Sequence, residues 1–338
     1  MSLSAIWTQC FPPRNGAPLT EANLPNQSGC VFIVTGGSSG LGYQLARILY
    51  AAGGKVYVLT RSKENADDAI SRTKADYDSN RDDQTRTRGA TGERDVVATP
   101  GSLEFIPMDL ADLTTVKAAA REFLKREERL DILFNNAATG ARRNAPLTLQ
   151  GHEHHIGIKS LGPYLLTQLL MPILSDTAKI SPKDSVRVVW AASLLVEMTS
   201  PKDGIRKDFL QNGKSVKDEN ELYASSKAAN WFLASEFAHR NSGLGVIHIA
   251  GNPGNYVTGI WRHVPRRDPV HGAETYPWMA FSDSVTMDEA VTGRYAICDG
   301  RWHPGQRQDL FLALKSGGSG RAKEYFDWCE RRVEEFVH

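Results

Sequence analysis

The stretch VFIVTGGSSGLG, residues 31–42, decides the fold of this chain. Its first four residues form an apolar run that is typical of a strand buried on both faces. Helical spacing of apolar residues follows over 41–52, and a second strand pattern covers 55–60. The sequence therefore predicts a strand-loop-helix-strand unit at the start of an α/β fold.

The loop between the first strand and the first helix contains Gly36, Gly40 and Gly42. Glycines permit a tight turn, a close approach of a pyrophosphate to the backbone, and close packing of the helix on the strand. The helix N-terminus adds N–H groups and the positive end of its dipole. An ordinary tight turn also uses glycines, but the position directly after a buried strand favours a dinucleotide site.

Strand and helix patterns keep alternating toward the C-terminus. Strands that alternate with helices of ten or more residues predict right-handed crossovers. We therefore expect a Rossmann-type, doubly wound parallel sheet with helices on both faces, in one three-layer α/β domain. The further predicted elements are strand 103–107, helix 113–127, strand 131–135, a long helix at about 149–174, strand 186–191, helix 223–240 and strand 245–250.

Several segments fall outside this alternation. Residues 1–29 are rich in Pro, Asn and Gly, and we expect them to form a surface arm ahead of a single nucleotide-binding catalytic domain at 30–338. Within that domain we expect polar insertions at 71–101 and 197–220, an apolar substrate lid at 259–283 and a packing helix at 319–337.

The bulk composition excludes several classes of protein. Of 338 residues, 41% are hydrophobic and 23% are charged, and the formal net charge is +1, which gives no basic surface for nucleic acid or an anionic membrane. No apolar run is long enough to predict a membrane span, and the N-terminus lacks the pattern of a secretory signal. The four cysteines form no CxxC pair, so we expect a reduced, cytoplasmic protein.

The residues after the second strand bear on the choice of dinucleotide. NAD sites usually carry a carboxylate there for the ribose 2′-hydroxyl. This chain has Arg61 and Lys63, with no acid before Glu64. A guanidinium can bind a 2′-phosphate through two hydrogen bonds and stack on adenine. The pattern favours NADP(H), while a solvated surface charge is the alternative explanation of Arg61.

Further motifs occur in a fixed order along the chain. They are TGGSSGLG (35–42), Asp109-Leu110, Asn135-Asn-Ala-Ala138, Ser193, Tyr223-x-x-x-Lys227 and Pro253-Gly-x-x-x-Thr258. In order and spacing this set resembles the short-chain dehydrogenase/reductases over roughly residues 30–260. The arm WTQCFPP (7–13), the segment GRWHPG (300–305) and the helix GRAKEYFDWCE (320–330) are similar to a retinol-dehydrogenase-like branch found in fungal secondary metabolism.

The resemblance implies a role for each matching residue. Asp109 would hold the adenine amino group, Asn136 and Ala137 would line the nicotinamide ribose, and Ser193, Tyr223 and Lys227 would be catalytic. Together with the glycine loop and the basic pair, the residues predicted to bind NADP(H) are Gly36, Ser38, Ser39, Gly40, Leu41, Gly42, Arg61, Lys63, Asp109, Leu110, Asn136, Ala137, Tyr223, Lys227, Pro253, Gly254, Val257 and Thr258.

Carbonyl reduction needs a hydride from one side and a proton from the other. A tyrosine phenol is normally a weak acid, with a pKa of about 10, and a nearby ammonium favours the phenolate. Tyr223 and Lys227 lie four residues apart on one helix face, and Ser193 would donate a hydrogen bond to the substrate oxygen. We therefore expect a ketoreductase or alcohol dehydrogenase that acts on a small apolar ketone or alcohol.

One position departs from the family's pattern. An asparagine of the long fourth helix usually offers its main-chain carbonyl to a water that relays protons to the active lysine, but this chain has Lys159 there. A second ammonium beside Lys227 would repel it unless Lys159 points away or meets an acid. The departure puts turnover in doubt and keeps open a non-redox cyclase, isomerase or binding protein on the same fold.

Two further interpretations concern a histidine-rich segment and the oligomeric state. The run from His152 to His155 lacks the H-E-x-x-H spacing, so a polar helix start is favoured over a metal site. The family often pairs through its fourth and fifth helices, so a homodimer is compatible with the sequence unless the insertions block it.

Overall fold

An eight-stranded sheet forms the centre of the molecule, in the order β3-β2-β1-β4-β5-β6-β7-β8. The computed structural model describes residues 3–11, 13–88, 99–140, 145–212, 218–254, 273–315 and 317–337. Neighbouring strands are parallel from β3 to β7, and β8 runs antiparallel to β7. The strands are β1 Val31–Thr35, β2 Lys55–Thr60, β3 Ser102–Pro107, β4 Ile132–Asn135, β5 Arg187–Ala191, β6 Ile247–Gly251, β7 Tyr295–Ile297 and β8 Arg301–Trp302.

The strand order reverses between β1 and β4, which makes this a Rossmann-type, doubly wound sheet. Every residue of β1, β4, β5 and β6 is buried, because helices cover both faces. Successive residues of β1 enter opposite cores: Ile33 packs in the cluster on one face, while Phe32 and Val34 pack in the cluster on the other.

Thirteen α-helices lie among the described residues, together with a π-helical segment at Gly157–Leu161 and a 3₁₀ turn at Ser242–Leu244. The α-helices are α1 Leu3–Cys10, α2 Gly40–Ala51, α3 Lys63–Arg88, α4 Leu113–Arg126, α5 His154–Ile156, α6 Gly162–Ile180, α7 Leu195–Thr199, α8 Lys207–Asn212, α9 Glu219–Arg240, α10 Thr275–Phe281, α11 Met287–Val291, α12 Gln308–Leu314 and α13 Arg321–Val337. No helix in the described ranges is long and apolar enough to cross a membrane.

The segment 71–101, expected to be a polar insertion, belongs in large part to helix α3. That helix continues to Arg88, and residues 89–98 lie outside the described residues. Ala66, Ala69 and Thr73 are buried, so a narrow stripe of small side chains holds the helix on the body. The composition hides this stripe because nearly all the other residues of the helix are charged or polar.

The N-terminal arm also contains a helix, α1, in which Ala5 and Gln9 are buried. The second expected insertion, 197–220, contains part of α7, all of α8 and the first residues of α9, while 213–217 lie outside the described residues. Helix α9 begins four residues before Tyr223, where the Asp218 side chain caps it by accepting from the backbone N–H groups of Asn220 and Glu221.

The long helix expected at 149–174 begins later and ends later, running from His154 to Ile180 with the π-helical segment inside it. The wider turn is closed by the N–H of Gly162, which donates to the carbonyl of Gly157. Pro163 has no N–H, so the carbonyl of Lys159, four residues earlier, lacks its usual helical donor.

Of the predicted lid, residues 259–272 lie outside the described residues. The remainder forms α10, in which Tyr276, Trp278 and Met279 are buried in the core on one face of the sheet. This part of the segment is core, and the lid stays a prediction for the rest. The predicted C-terminal helix is present as α13, and it buries Phe326, Cys329 and other residues of its apolar stripe.

The short strands β7 and β8 were not expected from the sequence.

Candidate active site

A cavity of about 400 Å³ runs along the carboxyl edge of the sheet, from the loop after β2 to the loop after β6. Ligands of doubly wound sheets bind at this edge, beside the point where the strand order reverses. Most of the residues predicted for the site line the cavity, namely Gly36, Ser38, Ser39, Gly40, Leu41, Gly42, Arg61, Asp109, Leu110, Asn136, Ala137, Ser193, Tyr223, Lys227, Pro253 and Gly254.

Of the three other predicted residues, Lys63 lies away from the cavity and two are not described. The Lys63 side chain is 72% exposed on α3, and its Nζ lies 2.6 Å from Oδ2 of Asp67. The first turn of α3 points this lysine into solvent, where an ion pair one helical turn away takes its charge. Val257 and Thr258 lie outside the described residues.

The glycine loop is built by contacts that exclude side chains. Gly36 has φ of +67° and Gly40 has φ of +56°, in the left-handed region that favours glycine. A Cβ on Gly42 would lie 2.4 Å from the Gly36 carbonyl oxygen and 2.5 Å from Nδ2 of Asn136. The start of α2 therefore packs directly on the loop, and the backbone itself forms the floor of the cavity.

The N-terminus of α2 opens into the cavity beside hydroxyl and guanidinium groups. Ser39 occupies the N-cap position but its side chain makes no capping hydrogen bond, so the first-turn N–H groups remain available to a ligand. The hydroxyls of Ser38 and Thr60 lie 3.3 Å apart, and Arg61 follows β2 at the same end. These donors and the bare glycine floor fit the phosphates of a dinucleotide, and Arg61 adds a charge suited to a 2′-phosphate.

The middle of the cavity is fixed by Thr35, which the sequence analysis did not single out. Its hydroxyl donates to the Phe134 carbonyl and accepts from the N–H groups of Asn136 and Ala137, at 3.0 and 2.9 Å. The Asn136 amide then donates to the Thr35 carbonyl and accepts from the Tyr276 hydroxyl at 2.7 Å. This bonding explains why a polar pair can sit at the end of a buried strand.

Helix α9 carries Tyr223 and Lys227 one turn apart, both almost fully buried. The Lys227 Nζ donates to the Ala191 carbonyl at 2.9 Å, and Nδ2 of Asn230 donates to the same oxygen at 2.8 Å. The end of β5 therefore holds the amine in place. Burial lowers the pKa of Lys227 to about 8, so the amine can gain or lose a proton near neutral pH.

Burial raises the pKa of Tyr223 to about 12, and a hydrogen bond with Ser193 opposes the shift. In this state the phenol is protonated at neutral pH and can serve as a proton donor. Ser193 accepts from the N–H of Leu195 through its Oγ at 3.2 Å, which leaves its own proton to be donated. The buried Tyr295 hydroxyl accepts from the Ser193 N–H and donates to the Ser193 carbonyl, each at 3.1 Å, and so fixes the backbone of this residue.

Lys159 is 0% exposed and does not line the cavity. Its Nζ lies 2.6 Å from Nδ1 of His155 and 4.2 Å from the centroid of the Tyr223 ring. Burial, and then the charge of Lys227, lower the pKa of Lys159 well below its ordinary value, while Glu153 opposes the shift. Burial also lowers the pKa of His155 to about 3.

These shifts reduce the conflict expected between two neighbouring ammonium groups. Lys159 neither points away nor forms a bond with an acid. Its Nζ contacts His155, whose pKa is lowered to about 3, and the pKa of Lys159 itself is lowered well below its ordinary value. Nε2 of His155 is buried and has no hydrogen-bond partner among the described residues. The two side chains pack behind the Tyr223 ring, and the pKa of each is lowered there.

The run from His152 to His155 leads into helix α5, with Glu153 at its N-cap position. Both carboxylate oxygens of Glu153 accept backbone N–H groups, from His155 at 3.0 Å and from Ile156 at 2.9 Å. Over the ranges that the structure describes, no group of three or more His, Cys, Asp or Glu side chains is placed to hold a metal ion.

Sequence reasoning missed four residues that organise the site: Thr35, Asn230, Tyr276 and Tyr295. A signal existed only for Thr35, a polar residue that ends an apolar strand. The other three lie on α9, α10 and β7, and nothing in their local sequence shows which loop they contact.

The fold and the site define a class, the Rossmann-type nucleotide-binding proteins, with a part-buried serine and a buried tyrosine and lysine at one end of the nucleotide cavity. Comparison with known proteins narrows the class. The chain matches the family model described as short chain dehydrogenase over residues 30–87 and 82–201. It belongs to the short-chain dehydrogenase/reductase family of oxidoreductases.

Fungal members of that family match this chain along nearly the whole length of both proteins. The chain is 35% identical to a short-chain dehydrogenase/reductase of Pestalotiopsis fici, over 99% of each chain. It is 36% identical to one of Phomopsis amygdali, over 99% of this chain and 98% of the relative.

Solved structures show the same fold at lower identity. The Pseudomonas aeruginosa RhlG/NADP active-site complex is 22% identical with a TM-score of 0.58, over 82% of this chain and 97% of that chain. The NADPH-bound carbonyl reductase from chicken fatty liver is 18% identical with a TM-score of 0.55, over 82% of this chain and 98% of that chain.

Proposed function

We propose that this protein is an NADP(H)-dependent ketoreductase or alcohol dehydrogenase that interconverts an apolar ketone and its alcohol in secondary metabolism. The observation that carries the proposal is the meeting of Ser193, Tyr223 and Lys227 in the cavity whose other end holds the glycine loop and Arg61. One ligand can span the two ends, with its phosphates on the loop and its reactive ring beside the phenol.

The preference for NADP(H) rests on charge at the β2 end of the cavity. Arg61 lines the cavity with the hydroxyls of Ser38 and Thr60, which suits a 2′-phosphate better than a bare 2′-hydroxyl. Lys63 lies on the exposed face of α3, so Arg61 is the side chain that we assign to the phosphate. Two solved proteins of the same fold were crystallised with NADP or NADPH, which agrees with this assignment.

The nicotinamide, when bound, supplies a hydride to the carbonyl carbon. The residues of the chain handle the substrate oxygen and the proton. Ser193 donates a hydrogen bond to that oxygen, and Tyr223 transfers the phenolic proton to it. The Lys227 ammonium favours the phenolate that remains, which lowers the cost of the transfer. In the reverse direction the phenolate removes the proton of the alcohol.

The apolar character of the substrate rests on the catalytic end of the cavity. Ala138, Ile158 and Ala192 line it close to the polar triad, so a ligand there meets methyl groups around a few directed polar atoms. The family placement among fungal proteins agrees with a role in secondary metabolism.

The alternative, a non-redox cyclase, isomerase or binding protein, drew its support from Lys159. That lysine is buried behind Tyr223, outside the cavity lining and paired with His155, so it does not alter the surface that a ligand meets. This placement favours the redox function.

The decisive experiment follows the absorbance of NADPH with a panel of apolar ketones. The wild type should oxidise NADPH with at least one ketone, and Tyr223→Phe should lower kcat by about 10²- to 10⁴-fold because the proton donor is lost. NADPH binding, measured by fluorescence, should survive the substitution.

Tyr164→Phe provides the matched control, because Tyr164 is equally buried and its hydroxyl contacts Gln168 on α6. It should keep the wild-type rate. If Tyr223→Phe turned over as fast as Tyr164→Phe, or if the product formed without consumption of NADPH, the proposed mechanism would be wrong.

A further inference from the structure

Helix α1 sends one polar side chain into the interior of the molecule. Gln9 is 6% exposed, although the same short helix exposes Trp7 at 65%. The helix is anchored around this residue: Sγ of Cys298 donates to the Gln9 carbonyl at 3.2 Å, and the Arg301 guanidinium donates to the Thr8 carbonyl at 2.7 Å. A buried amide on a terminal helix needs partners, because an unsatisfied polar group is costly in the interior.

The side-chain partners of Gln9 come from the turn after β6 and from helix α7, which follows Ser193. Its Oε1 accepts from Nδ2 of Asn252 at 3.0 Å, and its Nε2 donates to Oε2 of Glu197 at 3.0 Å. Asn252 lines the cavity directly after β6, and its Oδ1 accepts from the N–H of Gly254 at 2.9 Å. Glu197 lies in α7, four residues after Ser193.

The donors and acceptors of this network agree with one another. Nδ1 of His303 accepts from the N–H of Gly305, so the proton of the neutral ring lies on Nε2, which donates to Oε1 of Glu197 at 2.8 Å. Both oxygens of the buried Glu197 carboxylate then have a donor, one from His303 and one from Gln9. The 3.3 Å approach of the Gln9 and His303 nitrogens is a contact between two donors and contributes no bond.

We propose that Gln9 is a positioning residue of the active site, which holds the Asn252–Gly254 turn and helix α7 in fixed relation at the catalytic end of the cavity. The N-terminal helix is then a working part of the enzyme. The effect on catalysis rests on the proposed function, whereas the effect on the Asn252–Gly254 turn and on helix α7 does not.

An exchange of Gln9 and Glu197 tests the network. Gln9→Glu sets two carboxylates in buried contact, and Glu197→Gln sets two amides in contact with the wrong donor pairing. The double variant Gln9→Glu/Glu197→Gln restores the bonds that link these side chains, because Glu at 9 accepts from Asn252 and from the new amide at 197, while that amide still accepts from His303. It does not restore the weak 3.4 Å bond that Nε2 of Gln9 donates to the Ala5 carbonyl within α1.

Hydrogen exchange of peptides covering 195–199 and 252–254 is the primary measurement. Each single variant should exchange there about tenfold faster than the wild type, and the double variant should return to the wild-type rate. Trp7→Ala on the same helix is the control and should match the wild type. The KM for NADPH should rise several-fold in the single variants and recover in the double variant.

Two results would overturn the proposal: exchange in both single variants equal to that of Trp7→Ala, or a double variant as fast as the singles. Should Gln9→Glu fail to fold, Glu197→Gln and the double variant form the same comparison. A wild type that binds no NADP(H) would refute the proposed function but leave the exchange result standing, so the two failures are distinguishable.

Discussion

The two ends of the cavity are built in different ways. At the nucleotide end the backbone forms the surface, with Gly36 and Gly40 in left-handed conformations and Gly42 in direct contact with the loop. At the catalytic end contacts between distant segments fix the functional groups, as the Tyr295 hydroxyl fixes Ser193 and the Ala191 carbonyl holds Lys227. The nucleotide end is therefore determined by local sequence, and the catalytic end by tertiary contacts.

Among the substitutions that test this contrast between the two ends, the largest effect is expected at the nucleotide end, where the backbone forms the surface. Gly42→Ala places a methyl group 2.4 Å from the Gly36 carbonyl oxygen, so α2 or the loop must move. We expect a loss of about 1–3 kcal/mol in the free energy of unfolding and a fall in NADPH affinity of about 10- to 100-fold. Chemical denaturation and fluorescence titration measure the two quantities.

Gly243→Ala is the control for that change, because a Cβ there meets no atom within 4 Å. If the two alanine variants bound NADPH equally well, the nucleotide end would tolerate side chains and the contrast between the two ends would not hold.

A smaller effect is expected from the one charged side chain assigned at the nucleotide end. Arg61→Ala should raise the KM for NADPH about tenfold, since a charge-assisted hydrogen bond to the 2′-phosphate is lost, and should leave the KM for NADH unchanged. Lys63→Ala should change the KM for NADPH by less than about twofold because that lysine pairs with Asp67 on the surface. Equal effects of the two substitutions would restore Lys63 to the site.

The smallest effect concerns the buried bases behind Tyr223 and appears as a dependence on pH. The folded-state pKa of Lys159 lies below its ordinary value of 10.5, so the unfolded chain binds more protons at intermediate pH. Raising the pH between these two values therefore stabilises the fold, by at most about 1.4 kcal/mol per pH unit. Lys159→Met should lose the contribution of Lys159 to this slope, whereas Lys227, whose pKa is lowered to about 8, should keep its own contribution above that pH.

Urea unfolding of the wild type and of Lys159→Met at a series of pH values measures that slope. Lys179→Met serves as control, since the Lys179 side chain is 69% exposed and pairs with Asp176, and it should keep the wild-type slope. Parallel curves for the wild type and Lys159→Met would mean that the fold does not lower the pKa of Lys159.

The contrast between the ends explains what the sequence could predict. The doubly wound parallel sheet and the positions of the glycine loop, Asn136, Ser193, Tyr223 and Lys227 followed from local patterns and motif spacing, because each motif ends a strand or faces one side of a helix. These residues line the cavity together, while their individual roles stay predictions. The Lys63 side chain points into solvent, and its proximity in sequence to Arg61 could not show which way the helix turns it.

The rest depended on contacts that no local pattern carries. The stripe that anchors α3 is three small residues in a charged helix, and β7 and β8 are too short to show a period. Gln9 and Asn252 lie 243 positions apart in the chain, and the lowered pKa of Lys159 follows from burial and then from the charge of Lys227. Only the packed structure brings these groups together.

The Tyr295 hydroxyl is hydrogen-bonded to both the N–H and the carbonyl of Ser193. Tyr295 lies in β7, which pairs with β8 in a short antiparallel hairpin at the edge of the sheet. Residues 295–300 of this hairpin are buried, so a substitution there disturbs the packing around it. A change at Tyr295 would release the backbone of Ser193 while Ser193, Tyr223 and Lys227 stay the same in sequence. The position of the serine therefore depends on a residue that none of the catalytic motifs contains.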